Sequence, residues 1–80
     1  MNKDELKNII IEEILNIAPD IEKDEITMDG NIQTSLEIDS YDFLNILVAL
    51  NERVGVEVPE SDYAKVDTLQ NMIDYFKERL

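Results

Sequence analysis

Three stretches of this sequence place apolar residues at helical spacing, and they limit what the chain can fold into. The first runs from about Asn2 to Ile17, the second from about Ser40 to Val54, and the third from about Thr68 to the C-terminus. Within each stretch the apolar residues recur every three or four positions, which puts them on one face of a helix. The pattern predicts an all-α fold with three main helices.

Local signals mark where two of these helices begin and end. Asn2 followed by Glu5 is typical of a capping box, and Asp39 is a favoured N-cap residue for the second helix. Gly55 suits the left-handed residue that commonly ends a helix. Residues 18–39 have no sustained period, and a connection of that length is usually functional or contains a short helical turn.

Residues 56–67 join the second and third helices. We expect 56–59 to be extended, because the residue before Pro59 avoids the helical conformation, and residues 60–65 to form one helical turn. Asp67 with Gln70 three residues later predicts the N-cap of the last helix. The expected architecture is a small four-helix bundle, with three main helices plus one short helix, in a single domain of residues 1–80.

The second helix has an unusually broad apolar arc. One face is formed by Phe43, Ile46, Leu47, Leu50 and Val54, with Leu44 and Val48 beside it. This breadth predicts the most buried helix of the bundle. With no apolar stripe left over after the core is built, a monomer is expected.

Charge and residue usage exclude several classes of function. The 80 residues carry 19 acidic against seven basic side chains, a formal net charge of −12, which disfavours nucleic-acid binding. The absence of Cys and His removes thiol nucleophiles, imidazole bases and the usual zinc ligands. We therefore do not expect an enzyme.

Membrane insertion and metal binding are not expected either. No apolar run approaches the ~18–20 residues of a membrane span, and the first residues lack the apolar core of a signal peptide, so a cytoplasmic location is expected. An EF-hand alignment on Gly30 fails because Leu36 occupies the position of the bidentate glutamate. No metal site is predicted.

The segment around Ser40 is the most informative part of the chain. It places a serine hydroxyl at the first turn of a helix, directly after Asp39, where free N–H groups and the helix dipole tolerate a phosphate. On the residues alone, an ordinary serine at a helix start is the favoured interpretation, because serine is common there and most such serines have no further role. With no His or Lys nearby, Ser40 is not expected to act as a nucleophile by its own means.

An ordered set of short motifs resembles the acyl carrier protein family along essentially the whole chain. These motifs are Asp39-Ser40-Tyr41 followed by Asp42, Ala49-Leu50, Glu57-Val58-Pro59, Thr68-Leu69-Gln70 and Ile73-Asp74-Tyr75. The resemblance also extends to size, acidity, helix order and the long first loop.

The resemblance implies that Ser40 carries 4′-phosphopantetheine, transferred from coenzyme A by a separate phosphopantetheinyl transferase. It implies that Asp39 contributes to recognition by the transferase and that Tyr41 contacts partner enzymes. Acyl groups would be carried as thioesters and presented to ligases, synthases or acyltransferases. An aminoacyl or peptidyl carrier, and a carrier-like interaction module without a prosthetic group, are the alternatives.

The chain also departs from the family pattern near Ser40. Glu37 stands where a small residue is usual, Tyr41 replaces a leucine, and Asn45 and Asn51 replace commonly acidic positions, while Arg53 adds a positive charge. These changes favour a specialised carrier in a lipid or secondary-metabolite pathway with a dedicated partner enzyme.

Some apolar residues have two interpretations, as plain core packing or as the lining of a cavity for an acyl chain. They are Phe43, Leu44, Leu47, Val58, Tyr63, Leu69, Met72 and Ile73.

The negative charge is unevenly distributed. Residues 18–39 carry a net charge of −6, whereas residues 40–54 carry −1. We therefore expect basic partners to meet the protein through the loop before Ser40 more than through the second helix.

Overall fold

The computed structural model describes residues 1–80 and is entirely helical. Four α-helices follow one another along the chain: α1 (Lys3–Ile17), α2 (Ile32–Ser35), α3 (Ser40–Val54) and α4 (Leu69–Arg79). Two 3-10 segments, Lys23–Glu25 and Glu60–Val66, complete the secondary structure. The prediction of three main helices and a short one near residue 60 is confirmed, and α2 is the additional short helix within the long loop. No helix has both the length and the apolarity needed to cross a membrane.

A single hydrophobic core holds the helices together. α1 packs against both α3 and α4, and the side chains of Leu6, Ile10, Ile46 and Phe76 are at most 1% exposed. Burying a side chain of this size stabilises the fold by about 1.5–3 kcal/mol. The stripes seen in the sequence are thus the contact faces of α1, α3 and α4.

The helix boundaries follow from capping contacts that the sequence predicted. The Asn2 side chain accepts a hydrogen bond from the Glu5 N–H at 2.8 Å, and Glu5 completes the capping box. The Asp39 carboxylate accepts from the Asp42 N–H at 2.8 Å. Gly55 ends α3 with a φ of 77°, in the left-handed region that favours glycine.

The predicted N-cap of α4 is wrong by one residue. Thr68 has the extended backbone of a cap, and its hydroxyl accepts from the Asn71 N–H at 3.0 Å. Asp67 already has helical backbone angles, so its carboxylate cannot take that role. It accepts instead from the Asn71 side-chain amide at 2.9 Å.

The long loop is fastened to the start of α4 by main-chain contacts. The Ile32 N–H donates to the Asp67 carbonyl and the Gln70 N–H donates to the Met28 carbonyl, both at 2.8 Å. An isolated antiparallel bridge between Asn31 and Thr68 lies between these two hydrogen bonds. The loop therefore belongs to the folded body of the protein.

The expectation that α3 is the most buried helix of the bundle is wrong: four of its 15 residues are buried, against five of the 11 residues of α4. Leu44 and Val48 are 40% and 50% exposed, and Tyr41 is 73% exposed. The reason is that α3 packs chiefly on α1, and the segment Glu60–Val66 faces Leu44 and Val48 only across an open groove. An apolar stripe is left over after the core is built.

Arg53 near the end of α3 connects that helix to α1. Its guanidinium lies 2.8 Å from the Glu12 carboxylate and 3.3 Å from that of Glu13. These contacts, with Glu12 contributing most, raise the pKa of Arg53. The positive charge of Arg53 is therefore paired with two carboxylates of α1.

A second polar contact holds the segment Glu60–Val66 against α4. The buried Tyr75 hydroxyl donates to the Asp62 carboxylate at 2.6 Å, and the Arg79 guanidinium lies 3.5 Å above the Tyr75 ring. The hydrogen bond from Tyr75, followed by that from Lys65, lowers the pKa of Asp62. The connector between α3 and α4 is thus fixed by a side-chain network as well as by Val66 in the core.

Replacing Thr68 by alanine tests the corrected cap. We expect Thr68→Ala to lower the free energy of unfolding by about 1 kcal/mol, because the Asn71 N–H loses its acceptor. Asp67→Ala should lower the free energy of unfolding by less, since it removes only an exposed side-chain contact. Thr68→Ser should be about as stable as the unchanged protein, because its hydroxyl can still cap the helix. Urea unfolding measures all three. A larger loss for Asp67→Ala than for Thr68→Ala would contradict the assignment.

Candidate functional site

Ser40 is the first residue of α3 and its side chain faces solvent. The only hydrogen bond to its hydroxyl oxygen comes from the Gln33 side-chain amide, at 3.4 Å. Asp39, the residue before it, caps the helix through the Asp42 N–H. The hydroxyl is therefore accessible, while the backbone that carries it is well defined.

The turn between α2 and α3 sets the position of Ser40. The Ile38 N–H donates to the Gln33 carbonyl at 2.9 Å, which closes the end of α2 in the manner of a Schellman motif. Glu37 takes the left-handed position of that turn, with a φ of 54°. Ile38 and Phe43 are only 5% and 4% exposed, so buried side chains anchor the chain on both sides of Ser40.

The donor groups around Ser40 fit a phosphate ester. The N–H groups of Ser40 and Tyr41 donate no hydrogen bond within the chain, and they lie at the positive end of the α3 dipole. An anion attached to the Ser40 hydroxyl would therefore sit beside unsatisfied donors.

No side chain that is hydrogen-bonded to the Ser40 hydroxyl could act as its base. The one side chain bonded to its oxygen is a neutral amide that donates the hydrogen bond. General-base activation requires a basic side chain within hydrogen-bonding reach of the hydroxyl. The hydroxyl is therefore not activated by a hydrogen-bonded base in this conformation.

Tyr41 lies beside Ser40 on the surface of α3. It is followed at helical spacing by Leu44 and Val48, and the three side chains form an exposed apolar stripe, here called the α3 stripe. Grouped apolar exposure of this kind marks interaction surfaces more often than isolated apolar residues do. The sequence placed Tyr41 at the site, left Leu44 open between core packing and cavity lining, and put Val48 beside the apolar face of the helix.

The residues considered for an acyl cavity separate into two groups. Leu44, Leu47, Val58 and Tyr63 line a surface groove of about 140 Å³ between α3 and the segment Glu60–Val66. Leu47 and Val58 are themselves largely buried at the base of this groove. The other four residues do not line it and are buried: Phe43 is 4% exposed, and Leu69, Met72 and Ile73 are at most 1% exposed. In this conformation the core is packed, and the open space lies at its edge.

Two features of the site were not evident from the sequence. Gln33 lies seven residues before Ser40 in a stretch without periodicity, and only the fold of the loop brings the two side chains together. The left-handed backbone of Glu37 was equally hidden, because glutamate does not signal a positive φ. The one sequence feature that pointed to this turn was the glutamate at position 37, where the family usually has a small residue.

Comparison with known proteins agrees with this geometry. Residues 4–76 match the family model described as "Phosphopantetheine attachment site". An acyl carrier protein of Lactobacillus johnsonii is 36% identical over 73 residues, covering 82% of this chain and 91% of the relative. Acyl carrier proteins of Campylobacter fetus and Campylobacter hominis are 33% and 30% identical, covering 90% and 92% of this chain and 87% of each relative.

The chain therefore belongs to the family of phosphopantetheine-attachment domains. Its role is that of a carrier protein, and its curated relatives are acyl carrier proteins. The family resemblance seen in the sequence is confirmed, as is 4′-phosphopantetheine as the covalent prosthetic group.

Glycine at position 37 should stabilise the fold. Glu37→Gly removes the cost of a left-handed conformation, and we expect a gain of about 0.5–1 kcal/mol in the free energy of unfolding after allowing for the flexibility of glycine. Gly55→Ala is the converse control. A methyl group there would meet no atom within 4 Å, so its expected loss of about 1 kcal/mol is purely conformational.

Urea unfolding of Glu37→Gly, Glu37→Gln and Gly55→Ala separates the effect of backbone conformation on the free energy of unfolding from the effect of charge. The glutamine variant should stay close to the unchanged protein, because it alters only the charge. If Glu37→Gly is less stable than Glu37→Gln, the left-handed backbone at this position carries no strain.

Proposed function

We propose that Ser40 is the attachment residue for 4′-phosphopantetheine and that the protein carries acyl intermediates as thioesters on that group. The observation that carries this proposal is the exposed Ser40 hydroxyl at the N-terminus of α3, inside the range matched by the family model. The two unpaired N–H groups beside it support the same residue.

Attachment would be carried out by a phosphopantetheinyl transferase. The Ser40 oxygen would form the new bond to phosphorus while coenzyme A releases adenosine 3′,5′-bisphosphate, and the hydroxyl proton would pass to a base of the transferase. The lack of a hydrogen-bonded base at Ser40 supports this division of labour. When bound, the group supplies the thiol that a chain without cysteine lacks.

The contribution of this chain is placement, and we propose that it is a carrier and not a catalyst. The capped start of α3 holds the attachment point, and the α3 stripe offers Tyr41 and its neighbours to ligases, synthases or acyltransferases. Exposure of 73% at Tyr41 supports this contact. Enzymes that load and unload the thioester would supply the catalytic groups.

The unusual surface of α3 suggests a specialised pathway, in lipid or secondary metabolism, with a dedicated partner. Asn45 and Asn51 lie on this helix together with the α3 stripe, and Arg53 is held by Glu12 and Glu13. A partner would therefore meet an apolar and neutral surface here. A cytoplasmic location and a monomeric state stay predictions.

The same neutral surface favours a second candidate, an aminoacyl or peptidyl carrier. The two candidates differ only in what is attached to the thiol. Isolation of the protein from its native cell, followed by mass spectrometry of the thioester cargo, distinguishes a fatty or other acyl group from an amino acid.

Conversion with coenzyme A tests the proposed attachment residue. After incubation with coenzyme A and a broad-specificity phosphopantetheinyl transferase, we expect intact-mass measurement to show one phosphopantetheinyl group per chain. Ser40→Ala should gain no mass, because the attacking oxygen is removed, while Ser35→Ala should be modified normally. A gain that persists in Ser40→Ala would refute the assignment, and no gain in any variant would favour an interaction module without a prosthetic group.

Two substitutions at Asp39 separate its structural role from the proposed recognition by the transferase. Asp39→Asn keeps a side-chain oxygen for the Asp42 N–H, so its stability should change little, whereas Asp39→Ala should lose about 1 kcal/mol. If the carboxylate charge is recognised, both variants should lose about tenfold or more in kcat/KM for the transferase. Normal modification of Asp39→Asn would show that the residue serves only as a cap.

A further inference from the structure

An open groove of about 390 Å³ lies between the end of α1 and the turn that leads to α3. Its apolar lining comes from Ile17, Ala18 and Ile21 on one side and from Leu36 and Ile38 on the other. Ile17, Ala18 and Ile21 are half-buried, so part of their apolar surface still faces solvent. The groove is therefore a surface that a partner's aliphatic side chain could cover.

Four carboxylates surround this apolar lining: Asp20, Glu25, Glu37 and Asp42. None of the four forms an ion pair within the chain: every salt bridge of the protein involves other acidic residues. We call the whole feature the acidic groove.

The basic residues of the protein are mostly engaged elsewhere. Lys3, Arg53, Lys65 and Arg79 pair with carboxylates on α1, α4 or the segment Glu60–Val66. Residues 18–42 contain eight acidic side chains and a single basic one, Lys23. The negative potential of the acidic groove is therefore not neutralised from within the chain.

The arrangement does not suit a metal ion. No group of three or more acidic side chains comes close enough to hold a cation. The carboxylates instead stand around an apolar lining, which matches an occupant with an aliphatic body and a cationic end. A protein segment that presents arginine or lysine next to an aliphatic side chain has this chemistry.

The acidic groove adjoins the residue to be modified. Ile38 and Asp42, which both line it, lie two residues before and two residues after Ser40. An enzyme that brings coenzyme A to Ser40 must bind a diphosphate and a further phosphate, for which it needs basic side chains close to its active site. Those basic side chains would face the acidic groove when the enzyme docks.

We propose that the acidic groove receives a basic, aliphatic segment of the phosphopantetheinyl transferase and so orients Ser40 toward coenzyme A. The inference rests on the proposed function of Ser40 and adds a docking surface distinct from the α3 stripe. Asp42 of the acidic groove and Tyr41 of the α3 stripe are neighbours in the first turn of α3, so one partner can contact both surfaces.

Matched charge variants of the full-length protein test the docking surface. The groove variant combines Asp20→Asn, Glu37→Gln and Asp42→Asn, and the control combines Asp4→Asn, Glu52→Gln and Glu60→Gln. Each triple changes the net charge from −12 to −9, and each includes a first-turn aspartate of an α-helix. None of the six side chains makes a salt bridge in the protein.

The readout is kcat/KM for modification by a purified broad-specificity transferase, measured at low and high salt. We expect the groove variant to lose about tenfold at low salt, chiefly through KM, and to lose most of its salt dependence. The control variant should change by less than about twofold. Equal losses in the two triples would show that only total charge matters, and no loss in either would remove the acidic groove from recognition.

A binding measurement that needs no modification separates this proposal from the function of Ser40. Isotopically labelled Ser40→Ala protein is titrated with the same transferase, and amide signals are followed by NMR. We expect the strongest perturbation at residues 17–21 and 36–42. Perturbation confined to residues 41–52 would assign docking to the α3 stripe and overturn the proposal.

Two further titrations identify other occupants. Magnesium chloride alone should leave residues 17–21 unaffected, and a saturable shift there would assign a cation site instead. The unchanged protein with and without 4′-phosphopantetheine should give the same amide signals at these residues. A difference would place the prosthetic group in the acidic groove. If Ser40 is never modified while the transferase still perturbs residues 17–21, the attachment proposal fails and the docking proposal stands.

Discussion

Two main-chain hydrogen bonds between the long loop and the start of α4 hold the functional end of this protein in place. They join Ile32 to Asp67 and Met28 to Gln70, and they convert a 22-residue connection into part of the core. Without them the loop would keep its conformational entropy, worth about 1–2 kcal/mol for each residue left free. The two hydrogen bonds bring α2 and the turn that buries Ile38 directly before α3, whose first residue is set locally by the Asp39 cap.

The charges of the protein have two separate roles. Basic residues are used between elements, where Arg53 joins α3 to α1 and Lys3 joins α1 to α4. The Asp62 carboxylate is held by Tyr75 in the same way, between the connector and α4. The loop before Ser40 receives almost no positive charge, so its carboxylates remain available to a partner. The protein thus combines a stable helical core with a negatively charged surface near Ser40 that partner enzymes can contact.

Most of the fold could be predicted because the helices are specified locally. The boundaries of α3 follow from Asp39, the apolar period and Gly55, all readable within sixteen residues of one another. Prediction failed where contacts with distant parts of the chain determine the role of a residue. Asp67 is a residue type that is common at N-caps, but its backbone angles are helical and its carbonyl accepts a hydrogen bond from the Ile32 N–H in the loop. Thr68 caps α4 instead. Leu44 and Val48 look like core, but no helix comes to cover them.

The helix class, the capped start of α3, the family motif around Ser40 and the excess of acidic charge in the loop can all be derived from the amino-acid sequence. These depend on residues near one another in the chain, whose periodicity and capping chemistry act locally. Three features require the three-dimensional fold: the hydrogen bond from Gln33 to Ser40, the left-handed backbone of Glu37, and the carboxylates around an apolar groove. Such relations arise when distant segments pack together, and no local pattern of residues encodes them.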